Sequence, residues 1–220
     1  MEVGYLVDVY QKVWFDTIYH EHLDYHTLTP LLGFLGRHGL EVIEVERIAP
    51  QGGSIRIISQ KKRGPYVRDA SVDNLLELEH SLKMDRPETF RAYNQQVNEV
   101  RDHLGKLLMH LKQQGHSIAG YGAPTKATTM LMHFGLSQEM LDFTLEDNPL
   151  KHGCFLPGAM IPILPADELY VRKPDYVVIL AWNFAHSIIK KHRRYHEEGG
   201  RFILPMPVPE IVKNLDAYLN

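Results

Sequence analysis

Residues 117 to 128 read SIAGYGAPTKAT, an apolar run that passes through two glycines into a stretch typical of a helix. Glycine lets the backbone turn tightly and approach a ligand, and the free N–H groups that open the next helix can bind an anion. The pattern therefore predicts a strand, a turn and a helix. Two roles for the turn stay open: it binds a ligand, or it is a tight turn with a structural role only.

The residues around this turn are candidate ligand contacts. Gly120, Gly122 and Ala123 stand where a dinucleotide fingerprint has its small residues, and Lys126 follows them. Asp147 closes the next predicted strand, where an acid can hold a ribose. The match to the fingerprint is partial, because a third glycine is absent and the acid comes later than the roughly 20 residues that are usual.

Short apolar strands alternate with helices over the second part of the chain. A long amphipathic helix over 87–115, apolar at spacings of three and four, comes first. The alternation predicts a parallel sheet with helices on both faces, a small Rossmann-like domain. The predicted strands are 116–122, 141–147, 175–180 and 201–207, and the predicted helices are 125–135 and 184–199.

The first part of the chain has a different pattern. A short helix is predicted over 27–39, and two alternating segments, 40–49 and 54–62, predict a pair of strands. Polar residues with little periodicity then indicate a linker with one short helix. We therefore expect an α/β protein with domains at 1–66 and 87–220, joined by a linker at 67–86.

Composition excludes several classes of function. The chain of 220 residues has a formal net charge of −3, which gives no electrostatic reason to expect a nucleic acid or an anionic membrane as partner. Its single cysteine, Cys154, excludes an internal disulfide and fits a reducing cytoplasm. No apolar run approaches the roughly 20 residues that cross a bilayer, and the first residues carry acids where a signal peptide carries bases. We expect a cytoplasmic protein.

A second notable stretch, FDTIYHEHLDYH at 15–26, is dense in histidine, tyrosine and carboxylates. A zinc protease motif is excluded, because Asp24 stands where its second histidine belongs. If the stretch were a strand, His20 and His22 would share a face and could chelate a metal. A solvated polar edge is another alternative. We favour an acid/base cluster, in which a phenol, an imidazole and a carboxylate lie within four positions at 19–22.

Other polar residues of the second part have simpler interpretations. His186, His192 and His196 lie among lysines and arginines and predict a solvated basic helix face. Asn183 follows the strand at 175–180, at the carboxyl end where parallel sheets bind ligands. It is a candidate ligand contact, and capping of the next helix is the alternative.

Several motifs occur here in a fixed order: YHEHLDYHTL, QGGSIRI, GYGAPTKATTM, EDNPLKHG, FLPG with IPI, ILAWNFA and GGRFILP. Together they resemble the sugar C-methyltransferases that act on nucleotide-linked 4-keto deoxysugars, and the resemblance covers nearly the whole chain. That family has a zinc-binding segment, then a domain that binds S-adenosylmethionine (SAM), then a Rossmann-like domain. The resemblance implies the remnant of a class I methyltransferase sheet followed by a small Rossmann-like parallel-sheet domain.

The resemblance also assigns roles to residues. His22 would remove the proton at C3 of the keto-sugar as general base, Tyr19 would hydrogen-bond the enolate oxygen, and Glu21 would position this pair. Gln51 stands where the family has a histidine. The residues expected to bind the nucleotide-linked sugar are Gly53, Ser54, Gly120, Tyr121, Gly122, Ala123, Lys126, Asp147, Asn148 and Asn183.

The family's cysteine cluster for zinc and its glycine-rich SAM turn have no counterpart in these residues. We therefore expect the SAM site to lie largely outside this chain, zinc to be bound only in a preceding region, and a separate amino-terminal half to be a possible partner. We also expect the strands of 40–62 to leave an unpaired edge. Two other functions stay open: a non-catalytic module that binds a nucleotide or nucleotide-sugar, and an NAD-dependent enzyme that uses 117–147.

Overall fold

The computed structural model describes residues 1 to 219, apart from the side chain of Gln51, so the interpretation of Gln51 lies outside the described residues. The chain divides into two compact units. The first comprises Met1–Phe15 with His20–Gln96, and the second comprises Asp16–Tyr19 with Val97–Asn220. The boundary near Gln96 falls inside a long helix, which is α4 in chain order and spans Pro87–Gln113.

The first unit is built on a three-stranded antiparallel sheet with the order β1-β3-β2. The pairing of β2 with β3 confirms the predicted strand pair. The elements of this unit are β1 (Glu2–Gly4), α1 (Leu6–Gln11), α2 (Leu28–Arg37), β2 (Leu40–Ile48), β3 (Ser54–Lys61) and α3 (Ala70–Ser81).

A bulge in β2 decides which of its side chains enter the core. Val42 and Val45 are both buried although they are three positions apart, an odd spacing that would put them on opposite faces of a regular strand. The register against β3 shifts between Val42 and Glu44, and the extra residue returns Val45 to the core face. Glu44 is left exposed between them.

The region 67–86, predicted as a linker, contains α3 and packs into the first unit. Val72 and Leu75 are buried in its core, and the Asp69 side chain caps the helix by accepting a hydrogen bond from the Ser71 N–H at 2.7 Å. The start of α3 also covers β2. The Asp69 N–H donates to the Ile43 carbonyl at 2.7 Å, and the Val45 N–H donates to Ser71 Oγ at 3.1 Å.

The buried carboxylate of Glu79 joins α3 to the rest of the first unit. It accepts hydrogen bonds from the Tyr5 hydroxyl at 3.0 Å and from the Leu28 N–H at 2.6 Å. The N–H and the hydroxyl of Thr29 donate to it at 2.9 and 2.6 Å. Since Thr27, the N-cap residue of α2, makes no side-chain cap bond, Glu79 supplies the acceptor for the free N–H groups at the start of α2.

The second unit contains a six-stranded sheet with the order β6-β5-β4-β7-β8-β9, parallel except for β9. It confirms the predicted α/β fold with a parallel sheet. The strands are β4 (Ile118–Tyr121), β5 (Phe143–Glu146), β6 (Ile163–Pro165), β7 (Tyr176–Ile179), β8 (Arg201–Leu204) and β9 (Glu210–Ile211). The helices after α4 are α5 (Thr125–Phe134), α6 (Glu168–Arg172), α7 (Ala185–Lys191), α8 (Arg193–Glu197) and α9 (Leu215–Leu219).

The strand order places a switch point between β4 and β7. From β4 the chain adds β5 and β6 on one side, and β7 and β8 lie on the other side. In open parallel sheets, ligands bind outside the carboxyl ends of the strands at such a point. The residues that follow β4 and β7 are therefore candidate site residues. Among residues 1–219, no helix has the length and apolar character needed to cross a membrane.

Candidate functional site

The two glycines of the turn after β4 are required by packing. Gly122 has φ +90°, and a Cβ there would lie 2.5 Å from the Cβ of Ala181. A Cβ on Gly120 would lie 2.8 Å from Leu180 Cδ1 and 2.9 Å from Thr144 Oγ1. Distances below 3.0 Å leave no room for a side chain at either position. Close packing therefore explains both glycines, and no ligand is needed to account for them.

The first N–H after these glycines already donates a hydrogen bond to a carboxylate of the protein. The Ala123 N–H donates to Glu146 Oε2 at 2.7 Å. Lys151 Nζ donates to the Ala123 carbonyl at 2.8 Å and lies 3.7 Å from Glu146 Oε2. A phosphate bound to this N–H would have to displace Glu146, because both anions need the same donor.

Asp147, the acid expected to hold a ribose, is engaged by two side chains. Lys191 Nζ donates to it at 2.5 Å and the Tyr121 hydroxyl donates at 3.0 Å. Partial burial raises the pKa of Asp147, but the hydrogen bonds from Lys191 and Tyr121 outweigh it and hold the pKa below its usual range. The neighbouring Asn148 side chain accepts a hydrogen bond from the Leu150 N–H at 3.0 Å.

Asn183 lies exposed at the carboxyl end of the sheet, in a short 3₁₀ turn at Trp182–Phe184 that follows β7. The N-cap residue of α7 is Phe184, and this helix start has no side-chain cap hydrogen bond. The structure therefore gives no support to helix capping by Asn183. It stays a candidate ligand contact.

The switch point contains a buried cluster formed by Asp16, Trp182 and Lys126. Trp182 Nε1 donates to Asp16 Oδ2 at 2.7 Å. Lys126 Nζ lies 3.9 Å from the same oxygen and 4.3 Å from the centre of a Trp182 ring. Burial raises the pKa of Asp16 and lowers the pKa of Lys126, and each charge partly offsets the shift of the other. The sequence pattern does not mark Asp16 or Trp182 as site residues.

The residues with the expected catalytic roles lie in a loop. Tyr19 and His22 are half-buried and Glu21 is exposed, and the ring of His22 meets that of Tyr25 edge-on with centroids 6.5 Å apart. The segment is not a strand, so the geometry on which chelation by His20 and His22 depended is absent. Within residues 1–219, no three His, Cys, Asp or Glu side chains group in a way that could hold a metal ion.

Gly53 and Ser54, expected to contact the sugar, have structural roles in the first unit. A Cβ on Gly53 would lie 2.3 Å from Asp8 Cγ. Ser54 is buried and its hydroxyl donates to the Pro50 carbonyl at 3.0 Å. A sugar contact in which the Ser54 hydroxyl donates would therefore require it to leave the Pro50 carbonyl.

His192 corrects the prediction of a solvated basic face. It is 4% exposed, and it lies where the helix predicted over 184–199 breaks into α7 and α8. Its Nε2 is 2.7 Å from the Tyr121 hydroxyl and its Nδ1 is 3.0 Å from the Tyr170 hydroxyl. The flanking Lys190, Lys191, Arg193 and Arg194 are exposed, whereas His192 shares the buried helix face of Ile188 and Ile189.

The second unit is expected to lose stability in mild acid because of His192. Burial and the nearby Lys191 lower its pKa, while Asp147 and Asp167 oppose the shift. The unfolded chain therefore takes up a proton as the pH falls below about 6.5, before the folded protein does. We expect this residue to contribute a slope of up to about 1.4 kcal/mol per pH unit there. The free energy of unfolding, measured with urea at pH 7.5 and 5.5, should change less with pH in His192→Gln than in the parent chain. An equal change in both would contradict this role.

Comparison with known proteins shows similarity to a protein family and to one of its relatives. The family model of the C-methyltransferase C-terminal domain matches residues 49–207. The C-methyltransferase NovU of Streptomyces niveus is 35% identical over 212 residues, which are 96% of this chain and 50% of that relative. The chain therefore spans about half the length of the curated relative that it matches.

Proposed function

Because this chain belongs to the C-methyltransferase C-terminal domain family, we propose that it is part of a SAM-dependent enzyme that methylates C3 of a nucleotide-linked 4-keto deoxysugar through an enolate. The observation that carries the proposal is the Tyr-His-Glu-His motif at 19–22 in a chain of this family. The single cysteine agrees with a cytoplasmic enzyme.

The proposed chemistry of this chain is removal of a proton. A keto group at C4 acidifies the C–H bond at C3, and His22 accepts that proton as general base. Tyr19 donates a hydrogen bond to the oxygen on which the enolate charge develops. Glu21 positions this pair. An imidazole suits the role of general base.

The proposed substrate contacts differ in whether their polar groups are free to bind a ligand or already bind other groups of the protein. Asn183 is exposed at the carboxyl end of β7, and its amide can both donate and accept hydrogen bonds. By contrast, the Ala123 N–H, Lys126 and Asp147 already bind other groups of the protein. We therefore propose Asn183 as the first contact to test.

In the strand, turn and helix over 118–134, the groups that would hold SAM or NAD already bind other side chains. The N–H that would meet an anion is bound to Glu146, and the acid that would hold a ribose is bound to Lys191. We therefore propose that a different segment supplies the methyl donor site, in the same polypeptide or in a separate amino-terminal half. These contacts within the protein also argue against an NAD-dependent enzyme and against a nucleotide-binding module that uses this turn.

Solvent deuterium exchange at C3 of a thymidine-diphosphate 4-keto-6-deoxysugar, followed by NMR, tests the proposal. The chain would be assayed alone and with the half of the Streptomyces niveus relative that it does not match. We expect exchange in the combined sample, and methyl transfer only when that half and SAM are both present. Lack of exchange in both samples would contradict the enolising role. Micromolar SAM binding by residues 1–220 alone would show that the donor site lies in this chain.

A further inference from the structure

The carboxylate of Asp16 is fully buried and only partly satisfied. Its Oδ2 accepts the hydrogen bond from Trp182, whereas its Oδ1 has no hydrogen-bond partner within residues 1–219. Taking a carboxylate out of water is costly, and an apolar side chain of similar size would fill the same space with less penalty. Stability alone therefore does not explain an aspartate at this position.

The partners of Asp16 come from the two strands that define the switch point. Trp182 follows β7, and Lys126 lies in the first turn of α5, directly after β4 and its glycine turn. This is where related sheets bind an anionic ligand. In this protein the anion next to Lys126 and Trp182 is the carboxylate of its own Asp16.

The contacts of Asp16 fix the chain that leads to Tyr19. Asp16 lies in a 3₁₀ turn, Phe15–Thr17, and the Tyr19 N–H donates to the Thr17 carbonyl at 3.1 Å. The Thr129 hydroxyl, on α5, lies 3.3 Å from the Ile18 carbonyl and donates to it. The segment 16–19 is therefore tied to the second unit at Asp16 and at Ile18, and Tyr19 is its last residue.

We propose that Asp16 is a positioning residue, whose buried carboxylate, held by Trp182 and Lys126, anchors the segment that presents the Tyr19 phenol. This inference rests on the proposed function only for the role of Tyr19 as hydrogen-bond donor to the enolate oxygen. A hydrogen-bond donor stabilises a developing oxyanion only when it is held in place beforehand. A displacement of about 1 Å at such a donor can cost on the order of 10²-fold in rate.

Amide hydrogen exchange of the 220-residue chain tests the anchor without an activity assay. Asp16→Ala removes both contacts, and Asp16→Asn keeps an acceptor for Trp182 but removes the charge. We expect exchange at Tyr19 to be at least about tenfold faster in Asp16→Ala and less affected in Asp16→Asn, with little change in protection of β4 and β7. Asp102→Ala, an exposed aspartate on α4, is the matched control and should behave as the parent chain.

Lys126→Met provides a second test that does not depend on the folding of Asp16→Ala. Removing the cation leaves the Asp16 charge buried without its partner, so exchange at Tyr19 should increase. The double variant Asp16→Asn with Lys126→Met should restore part of the protection, because the unpaired charge is then gone. Exchange at the parent rate in both Asp16→Ala and Lys126→Met would overturn the proposal.

The C3 exchange assay separates this inference from the proposed function. If Asp16 positions Tyr19, Asp16→Ala should lower kcat by about 10- to 100-fold with little change in KM, because the contact with Tyr19 matters in the transition state. Faster amide exchange combined with a parent-like kcat would show that the anchor does not serve catalysis. Normal C3 exchange by His22→Asn would overturn the proposed base, but not the anchoring measured by amide exchange.

Discussion

His22→Asn is expected to lower the rate of proton exchange at C3 of the keto-sugar by about 10³-fold, within the range that a general base contributes. Asparagine keeps a polar side chain of similar length, but its amide cannot accept a proton near neutral pH. Solvent deuterium incorporation measured by NMR gives the rate directly. His103→Asn is the matched control, because this exposed histidine lies on α4, away from the motif at 19–22. Exchange at the parent rate in His22→Asn would mean that another residue is the base.

Tyr19→Phe should slow the same exchange by about 10²-fold, since removal of one oxyanion donor usually costs this much. The phenyl ring keeps the packing of the half-buried side chain, so the loss reports the hydroxyl. The effect should appear in kcat more than in KM, because the oxygen gains its charge only as the proton leaves.

Glu79→Ala is expected to destabilise the first unit by about 3 kcal/mol. The change leaves the buried Leu28 N–H and Tyr5 hydroxyl without their acceptor, and it also removes both contacts of Thr29. Glu79→Gln should cost less, because one amide oxygen can still accept. Native-state hydrogen exchange of the β2 and β3 amides measures this unit separately from the second one.

The control for this prediction is Glu77→Ala, which removes an exposed glutamate from the same helix. A substitution on an exposed helix face usually changes stability by less than about 0.5 kcal/mol. Equal protection of β2 and β3 in Glu79→Ala and Glu77→Ala would refute the role of Glu79 as the acceptor that joins α2 and α3.

The sequence predicted the sheets well because their signals are local. Short apolar strands alternating with helices indicate a parallel sheet, and two alternating segments indicate a hairpin-like pair. The strands β6 and β9 were missed because they have three and two residues, too few to show a period. The packing of α3 into the first unit was not predicted, because Glu79 places a carboxylate on the buried face of this helix. That burial is favourable only because Tyr5, Leu28 and Thr29 donate hydrogen bonds to the carboxylate.

The site was only partly predictable because its decisive contacts are remote in sequence. Trp182 is 166 positions from Asp16 in the chain, and no local pattern connects them. The glycine turn predicted a tight bend correctly, but whether it binds a ligand depends on Glu146, which lies on the neighbouring strand. His192 lies among charged residues in the sequence, and that pattern predicted an exposed helix face. The expected catalytic set of Tyr19, Glu21 and His22 came from a contiguous motif and stays a prediction.

The cover that α3 places over β2 bears on how this protein behaves at high concentration. A free strand edge is a template for pairing with another molecule, and such pairing leads to domain swapping and fibrils. On the outer side of β2, the Ile43 carbonyl and the Val45 N–H are already bonded to Asp69 and Ser71, so the unpaired edge expected from the sequence is partly closed. The bulge between these groups adds a local twist that an incoming flat strand would fit poorly. The start of α3 thus protects the edge of β2 from pairing with another molecule. Loss of its contacts with β2 would make the chain prone to aggregate while its fold is still intact.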